Sequence, residues 1–481
     1  MEFDYDVAVI GAGSAGMSAY RMAKKEGKKA CLIENREYGT KCASYGCMPS
    51  KLLIAAAENA HNIQKSSQFG IDVENVKINR SAVMRRVRRE RERFVNFVKD
   101  DISSFPKDEI KLGTYHFIDD NTLYNEHHDE KLTAKTFVIA TGTNPFVLPI
   151  LKPLLETDLI FDTRRFFDYH LLPKSIAIIG SGVIGLEIGQ ALTRLGVRTV
   201  IIGVRNNISG LKDPIVLERA NHIFKEELKI YNNAEITGVE IVQEEFDDWH
   251  KDKEVAVSWS ENGQQFNERF ECVLTATGTR PNVNGLELQN TSLQLENGIP
   301  VSDRNSLECL RNDENACNIF IAGDITQDRE ILHEAILEGQ HAGLNASNFL
   351  KVVDRKIRTS FSVTFTDPQV MTVGKRYVDL KDGEYAIGTV DYTNQGRSRI
   401  MLKNKGLLHM YFSASGSRML IGAEMCGPDA EYFGAWFATF INRAMTVDDI
   451  LEEPFYHPTI FESVRTACRD AKKSLDILEK I

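Results

Sequence analysis

The sequence predicts an α/β fold with two Rossmann-like dinucleotide-binding domains in tandem. An apolar strand, a glycine-rich loop and a helix-compatible stretch occur in this order near the start of the chain, and the same order recurs near residue 175. The length of 481 residues, about three times that of a typical domain, independently predicts several domains.

The first copy of this pattern begins with the apolar run Asp6–Ile10 and continues through a loop containing Gly11, Gly13 and Gly16. Such glycines permit a tight turn and a close approach of backbone to pyrophosphate, while the helix N-terminus supplies N–H donors. The next strand ends on Glu34, at the spacing where a carboxylate accepts a hydrogen bond from an adenosine ribose. We therefore expect a dinucleotide at this loop.

The second copy consists of the strand Ser175–Ile179 and a loop with Gly180, Gly182 and Gly185. A helix to about residue 195 and a strand over 198–202 follow, so the segment predicts a second dinucleotide site.

The residues after the second strand of this site do not decide whether it binds NAD or NADP. That strand ends on Gly203, where an acid would favour the free 2′-hydroxyl of NAD. Arg205 follows, and an arginine there can accept the 2′-phosphate of NADP, although Arg205 is equally compatible with an ordinary surface side chain.

Three further apolar strands end in small residues, at Thr141-Gly142, at Gly278 and at Gly323-Asp324. Ends of this kind let the backbone run close to a bound ligand. Asp324 could also hydrogen-bond a ribityl or ribose hydroxyl.

The most informative segment carries Cys42 and Cys47 between the first ribose acid and the following helix. Residues i and i+5 do not share a helix face, so the two sulfurs can be joined only if the backbone departs from a regular helix, and Gly46 and Pro49 can supply that departure. A nearby cation lowers the pKa of a thiol, and Lys51 is placed to provide one.

The cysteine spacing alone also fits two buried cysteines or half of a metal site. The metal interpretation is weakened because the sequence has no second CxxC or HxxxH cluster to complete a tetrahedral shell. The position of the pair directly after a nucleotide-binding fold favours a redox pair.

Together, these motifs resemble the flavoprotein disulfide reductases, the class I pyridine nucleotide-disulfide oxidoreductases, from about Tyr5 to the C-terminal region. The resemblance implies FAD and NAD, with NADP possible, and a C-terminal α+β dimerisation domain. It further implies a division into an FAD-binding domain (1–143, first part), an NAD(P)-binding domain (144–279), a central domain completing the FAD site (280–350) and a dimerisation domain (351–481).

The resemblance also assigns roles to residues. It makes Cys47 the cysteine next to the flavin and Cys42 the one that attacks the substrate, with Lys51 near the flavin and Glu187 paired with Lys51. It implies FAD contacts at Gly11, Gly13, Gly16, Glu34, Lys51, Thr141, Gly142, Gly323 and Asp324, and NAD(P) contacts at Gly180, Gly182, Gly185, Arg205 and Gly278.

Near the C-terminus, His457-Pro458 followed by Glu462 matches the His-Pro motif of this family. A carboxylate fixes the tautomer of a histidine and raises its basicity, which suits a base that takes a proton from a dithiol. In the family this histidine enters the active site of the other subunit, so the resemblance implies a homodimer.

The resemblance points first to dihydrolipoyl dehydrogenase activity, with lipoamide as substrate, free or on a 2-oxo acid dehydrogenase complex. A C-terminal cysteine pair of the kind that mercuric reductases use is missing, since Cys468 is solitary. Three departures from the usual pattern of these dehydrogenases place substrate and coenzyme in doubt. Ala43-Ser44-Tyr45 replaces the commoner Leu-Asn-Val, Phe455 occupies the place of a frequent histidine, and Gly203 replaces the NAD-selective acid. The alternatives are an NADPH-dependent reductase of a small disulfide or quinone, and a flavin-binding redox sensor.

The formal net charge of −10 and the pI of about 5.7 oppose a general role in binding nucleic acid or acidic membranes. The arginine-rich run at residues 85–93 is interpreted as an amphipathic helix, because apolar residues fall among the arginines near helical spacing. Without a signal peptide or a long apolar run, we expect a cytoplasmic protein with no membrane partner.

Overall fold

The structure, a computed structural model, describes residues 2–205, 207–247, 250–313, 315, 317–414 and 416–478. These residues form helices α1 (Ser14–Lys25), α2 (Lys41–Ser44), α3 (Cys47–Gln64), α4 (Arg80–Ser103), α5 (Thr163–Phe166), α6 (Val183–Arg194), α7 (Pro214–Glu227), α8 (Leu332–Ser347), α9 (Gly396–Ile400), α10 (Ala430–Asn442), α11 (Val447–Glu452) and α12 (Glu462–Leu478).

The strands are β1 (Tyr5–Ile10), β2 (Ala30–Glu34), β3 (Ile110–Leu112), β4 (His116–Asp119), β5 (Thr122–Asn125), β6 (Glu130–Ile139), β7 (Thr143–Pro145), β8 (Ile160–Phe161), β9 (Ser175–Ile179), β10 (Arg198–Ile202), β11 (Lys229–Tyr231), β12 (Ala234–Asp247), β13 (His250–Glu261), β14 (Gln264–Phe270), β15 (Cys272–Thr275), β16 (Thr279–Pro281), β17 (Leu295–Glu296), β18 (Ile299–Pro300), β19 (Ile319–Ile321), β20 (Phe361–Thr364), β21 (Gln369–Gly374), β22 (Tyr385–Asp391), β23 (Leu407–Ser413) and β24 (Leu420–Gly427).

The chain divides into two compact units whose segments interleave along the sequence. The first unit contains Met1–Pro49, Arg86–Phe146 and Gly278–Ile357, and the second contains Ser50–Arg85, Val147–Thr277 and Arg358–Ile481. The predicted central domain, 280–350, thus lies in the same unit as the first glycine loop. The four-part division itself stays a prediction.

The sheet of the first unit has the strand order β3-β2-β1-β6-β5-β4, and β19 also pairs with β6. Its nucleotide-binding half is parallel, with Val7 opposite Ala30 and Ile10 opposite Ile33. Alternate residues of β1 enter different buried clusters, Val7 on one side and Ala8 on the other. The sheet is therefore covered on both faces, as a run of consecutive apolar residues predicts.

Helices α1 and α8 of the first unit pack at unusually close range. A Cβ at Gly339 would lie 2.1 Å from the carbonyl oxygen of Ala15, and one at Gly343 would lie 2.4 Å from that of Ala19. Only glycine fits these two positions of α8. The backbones of α1 and α8 are therefore in direct contact.

The second unit contains a parallel sheet of order β11-β10-β9-β15-β8. Strands β9 and β10 coincide with the predicted Ser175–Ile179 and the predicted strand at 198–202, so the second nucleotide fold is confirmed. An antiparallel sheet, β12-β13-β14, packs on one face of it, since the buried Trp259 shares a core with Ala177 and Ile179.

The C-terminal part of the second unit is an antiparallel sheet of order β20-β21-β24-β23-β22. Its core includes Phe412 from the sheet, Phe433 and Phe437 from α10 and Val464 from α12. This arrangement confirms the predicted α+β C-terminal part and completes the predicted fold class.

The arginine-rich run lies in α4, where Val87 is fully buried while Arg85, Arg86 and Arg89 are exposed. The amphipathic helix predicted there is confirmed. Among the described helices, none combines the length and the apolar character needed to cross a bilayer.

We predict that Gly339→Ala destabilises the protein by about 1–3 kcal/mol, because the added methyl must displace α1 from α8. Gly396→Ala is the matched control, since a Cβ there meets nothing within 4 Å. Urea unfolding of both variants measures the difference, and equal stability of the two would show that α1 and α8 can separate without cost.

Candidate active site

The segment with the two cysteines is an interrupted helix. Thr40 caps α2, its Oγ1 accepting from the Ala43 N–H at 3.2 Å, and α3 then begins at Cys47. Between the two helices, a Cβ at Gly46 would lie 2.9 Å from the carbonyl oxygen of Lys41 and 3.3 Å from the Cα of Cys42. The chain therefore folds back against the turn that carries Cys42, and the irregularity expected between the cysteines is present.

The eight cysteines of the chain fall into two groups. Cys42 is half-buried and Cys47 exposed, whereas the other six are buried: Cys31, Cys272, Cys309, Cys317, Cys426 and Cys468. Burial raises the pKa of all six thiols, to about 11 for Cys317 and about 12 for Cys468. These six are therefore protonated near neutral pH, and Cys42 and Cys47 are the accessible pair.

Lys51, one turn after Cys47 in α3, forms an ion pair with Glu187 of α6. Its Nζ lies 3.0 Å and 2.8 Å from the two carboxylate oxygens, and the Glu187 side chain is 3% exposed. Phe365, which the sequence did not single out, contacts both partners. Its backbone N–H donates to Glu187 at 2.9 Å, and Lys51 Nζ lies 4.5 Å from its ring centroid.

In the first glycine loop, no side chain of the N-cap residue covers the N-terminus of α1. Gly11 has φ +105°, and a Cβ there would lie 2.4 Å from the carbonyl oxygen of Ala140. Gly16 approaches Gly11 even more closely, but Gly13 has open space around it, and as N-cap it places no side chain over the first N–H groups of α1. The loop can therefore receive an anion such as a pyrophosphate.

Glu34 ends β2 beside this loop, where its carboxylate accepts from the Ala12 N–H at 2.9 Å. A cavity of 1080 Å³ lies immediately beyond Glu34, within the first unit. It is lined by Asn35, Arg36, Glu37, Tyr38, Lys99, Leu112, Gly113, Thr114, His116, Asn125, Glu126, His127 and His128. Its volume is at the upper end of ordinary small-molecule sites, so the first unit fits a large nucleotide cofactor.

The other predicted flavin contacts meet at two neighbouring strand ends of the first unit. Thr141 and Gly142 follow β6, and Gly323 and Asp324 follow β19, which pairs with β6. Both glycines have positive φ, +66° and +82°. Asp324 accepts a hydrogen bond from Nζ of Lys41 at 2.8 Å, a contact that the sequence did not predict.

The second glycine loop repeats this geometry in the second unit. A Cβ at Gly180 would lie 2.3 Å from the carbonyl oxygen of Ala276, one at Gly185 would lie 1.9 Å from the Gly180 carbonyl, and one at Gly182 would meet nothing. Gly278, with φ +93°, follows β15 but belongs to the first unit.

Gly203, at the end of β10, is enclosed by the glycine loop. A Cβ there would lie 2.2 Å from Oγ of Ser181, whose hydroxyl donates to the carbonyl of Asn207 at 2.9 Å. An acidic side chain at this position would require Ser181 to move. Arg205 is exposed two residues further on.

His457 and Glu462 are in contact in the second unit. Nδ1 of His457 lies 3.1 Å from Oε2 of Glu462, which also accepts from the Thr459 N–H at 3.1 Å. The Thr459 bond and His457 both hold the pKa of Glu462 below its usual range. The imidazole itself is 80% exposed, so it is available to a group outside this chain.

The predicted residues are divided between the two units. Those expected at the flavin, together with both cysteines, belong to the first unit, except Lys51. Lys51 and Glu187, the second glycine loop and the pair His457 and Glu462 belong to the second unit.

A dinucleotide-type fold in each of the two units indicates a protein that uses nucleotide cofactors. Residues 5–339 match the family model described as pyridine nucleotide-disulphide oxidoreductase, and residues 360–468 match the dimerisation domain of the same family. The chain belongs to the pyridine nucleotide-disulphide oxidoreductase family. This family is FAD-dependent and uses a pyridine nucleotide, and the dimerisation domain supports a homodimer.

Relatives with different activities match almost the whole chain. A dihydrolipoyl dehydrogenase of Geobacillus stearothermophilus is 28% identical over 472 residues, covering 97% of this chain and 96% of that protein. A mercuric reductase of Staphylococcus aureus is 27% identical over 489 residues, covering 99% of this chain and 84% of that protein. Identity at this level leaves the substrate open.

Among solved structures, the HOCl-induced flavoprotein disulfide reductase RclA of Escherichia coli has a TM-score of 0.77 and 20% identity to this chain. The match covers 96% of this chain and 98% of RclA. It supports the fold described above.

We predict that Glu187→Ala destabilises the protein by about 1–3 kcal/mol, because it removes the buried carboxylate that accepts from the half-buried N–H of Phe365 and from the Lys51 ammonium. The control is Glu226→Ala, which removes an exposed ion pair with Lys405 and is expected to cost about 0–1 kcal/mol. Urea unfolding compares the two, and equal losses would contradict a special contribution from the buried carboxylate.

Proposed function

We propose that this protein is an FAD-dependent dithiol/disulfide oxidoreductase that works through a redox disulfide between Cys42 and Cys47. The observation that carries the proposal is the interrupted helix, in which Gly46 folds against Cys42 at the point where α3 begins with Cys47. A regular helix would separate the two sulfurs, whereas this backbone allows them to be joined.

The residues present fit FAD in the first unit. We assign the pyrophosphate to the N-terminus of α1 at Gly11, Gly13 and Gly16, the adenosine to Glu34 and the adjoining cavity, and the ribityl chain to the strand ends with Thr141, Gly142, Gly323 and Asp324. Lys51 would stand near the flavin ring. When bound, FAD supplies a two-electron carrier between a thiolate and a nicotinamide.

The thiol chemistry follows from the accessible pair. A thiolate of dihydrolipoamide attacks Sγ of Cys42, breaking the Cys42–Cys47 bond, and Cys47 leaves as a thiolate. The second substrate thiol then displaces Cys42, which releases the cyclic disulfide and leaves the pair reduced by two electrons. Renewal of the Cys42–Cys47 disulfide requires a two-electron oxidant, which bound FAD, with NAD⁺ as the final acceptor, would supply.

His457 is proposed as the base that takes the substrate protons. Glu462 holds Nδ1, so Nε2 is the nitrogen left for the substrate. By the resemblance to its family, His457 would serve the cysteine pair of a second copy of the chain, which makes the homodimer the active form. Its exposure supports this assignment.

Dihydrolipoamide is our first substrate because relatives with that activity match the chain over nearly its full length. Cys468 is buried in α12, which disfavours a role for this thiol in transferring a metal ion. The lipoyl group would come from free lipoamide or from a 2-oxo acid dehydrogenase complex.

The proposal is tested by a steady-state panel that crosses NADH and NADPH with lipoamide, glutathione disulfide and a quinone. The forward direction is measured separately with dihydrolipoamide and NAD⁺ or NADP⁺. We expect the highest kcat/KM with lipoamide. Reduction of the flavin by a nicotinamide without transfer to any disulfide would instead identify a flavin-binding redox sensor.

We predict that Cys42→Ser abolishes disulfide turnover while retaining a long-wavelength absorbance band from the Cys47 thiolate beside oxidised flavin. Cys468→Ala, a change at a buried thiol, should leave both properties intact. A Cys42→Ser enzyme without the band at neutral pH would contradict the position of Cys47 next to the flavin.

A second candidate function, an NADPH-dependent reductase of a small disulfide or quinone, is favoured by the surroundings of Gly203. Ser181 occupies the space of an acidic side chain at this position, and Arg205 is exposed nearby. A site without the acid and with an arginine can accept the 2′-phosphate of NADP.

We predict that Gly203→Glu combined with Ser181→Ala raises the NADH-to-NADPH ratio of kcat/KM by about tenfold or more, since each good hydrogen bond to a ribose hydroxyl contributes about 1.4 kcal/mol or more. Gly203→Glu alone should impair both coenzymes, because Ser181 blocks the new side chain. An unchanged ratio in the double variant would show that the 2′ group of the coenzyme's adenosine ribose does not bind next to residue 203.

A further inference from the structure

Lys41, the residue directly before Cys42, is held by three groups of the first unit. Its Nζ lies 2.8 Å from Oδ2 of Asp324, 3.0 Å from Oγ1 of Thr143 and 3.4 Å from Oε2 of Glu330. The hydroxyl of Thr279 donates to the same Glu330 carboxylate at 2.7–2.8 Å. An ammonium with three acceptors around it has a fixed position.

The acceptors belong to the strand ends where the flavin is assigned. Thr143 comes directly after Gly142, and Asp324 directly after Gly323. Strands β6 and β19, which precede these residues, pair in parallel with Ile139 opposite Ile321. Lys41 therefore joins the cysteine segment to two adjacent strand ends, at the edge of a parallel sheet where nucleotides bind.

The carboxylates of this cluster stabilise the charge of Lys41. Burial by itself would lower the pKa of Lys41, but Asp324 and then Glu330 outweigh it, and the pKa is raised. Lys41 contacts one oxygen of Asp324, and an ionised carboxylate has a second oxygen that can accept from a hydroxyl. A neutral side chain at residue 41 would leave Asp324 without this fixed cation.

We propose that Lys41 is a positioning residue for the flavin, which orients the Asp324 carboxylate toward the ribityl chain and fastens the cysteine segment to the flavin-binding strand ends. The inference rests on the proposed function, since it assumes that Asp324 contacts FAD. On this proposal, loss of Lys41 weakens the binding of FAD, whereas loss of an ordinary surface ion pair does not.

The test is a double-mutant cycle on FAD release from the holoprotein. Lys41→Met, Asp324→Asn and the double variant are diluted to nanomolar concentration, and the rise of flavin fluorescence gives the release rate. Lys41→Arg tests rescue by a second cation. Lys24→Met is the matched control, because Lys24 pairs with Glu109 in the same unit at 2.6 Å, with side-chain exposures of 37% and 13% that resemble the 36% and 16% of Lys41 and Asp324.

We expect Lys41→Met to release FAD about tenfold faster than the unmodified protein, as loss of a charge-assisted hydrogen bond predicts. The double variant should release FAD no more than about threefold faster than Asp324→Asn, because Lys41 acts through Asp324. Lys41→Arg and Lys24→Met should stay within about threefold of the unmodified protein.

Two results would overturn the role of Lys41: FAD release unchanged in Lys41→Met, or effects of Lys41→Met and Asp324→Asn that multiply in the double variant. If Lys24→Met speeds FAD release as much as Lys41→Met does, the effect comes from losing any ion pair of the first unit, and the specific role of Lys41 is also overturned. If Asp324→Asn itself releases FAD at the unmodified rate, the placement of the ribityl chain is wrong, which is a failure of the proposed function instead.

Discussion

The close approach of a glycine loop to the neighbouring strand end is the constraint on which both nucleotide folds depend. Gly11 touches Ala140 in the first unit, and Gly180 touches Ala276 in the second, at distances where any side chain would collide with a carbonyl oxygen. Because Ala140 follows β6 and Ala276 follows β15, these contacts place the start of α1 beside the end of β6 and the start of α6 beside the end of β15. The positions of Thr141 and Gly142 relative to the first loop follow from this contact.

Much of this arrangement could be predicted from the sequence because its signals are local. Strand β9 coincides with the predicted Ser175–Ile179, and the alternation of β1 between two cores follows from its consecutive apolar residues. The departure from helix between Cys42 and Cys47 was predictable for the same reason, since a spacing of five residues and a glycine act within one short segment.

The contacts that the sequence could not predict join residues far apart along the chain. Lys41 and Asp324 are 283 residues apart, and the Phe365 N–H and Glu187 are 178 residues apart. No local sequence pattern predicts contacts between residues so far apart. The position of Lys41 directly before Cys42 was nevertheless visible in the sequence and could have marked it as a candidate site residue. At Gly203 the missing acid was evident in the sequence, but the steric reason, the hydroxyl of Ser181, exists only in the folded chain.

The burial of six cysteines has a consequence for how this protein meets oxidants. Peroxides, hypochlorous acid and alkylating agents react with accessible thiolates, and the buried, protonated thiols of the cores are shielded from them. Attack on thiols is therefore directed to Cys42 and Cys47. Under the proposed function, oxidation of this pair to a disulfide would be a state that the enzyme's own reductant reverses. The fold thus shields six thiols from reagents in solution and leaves two within their reach.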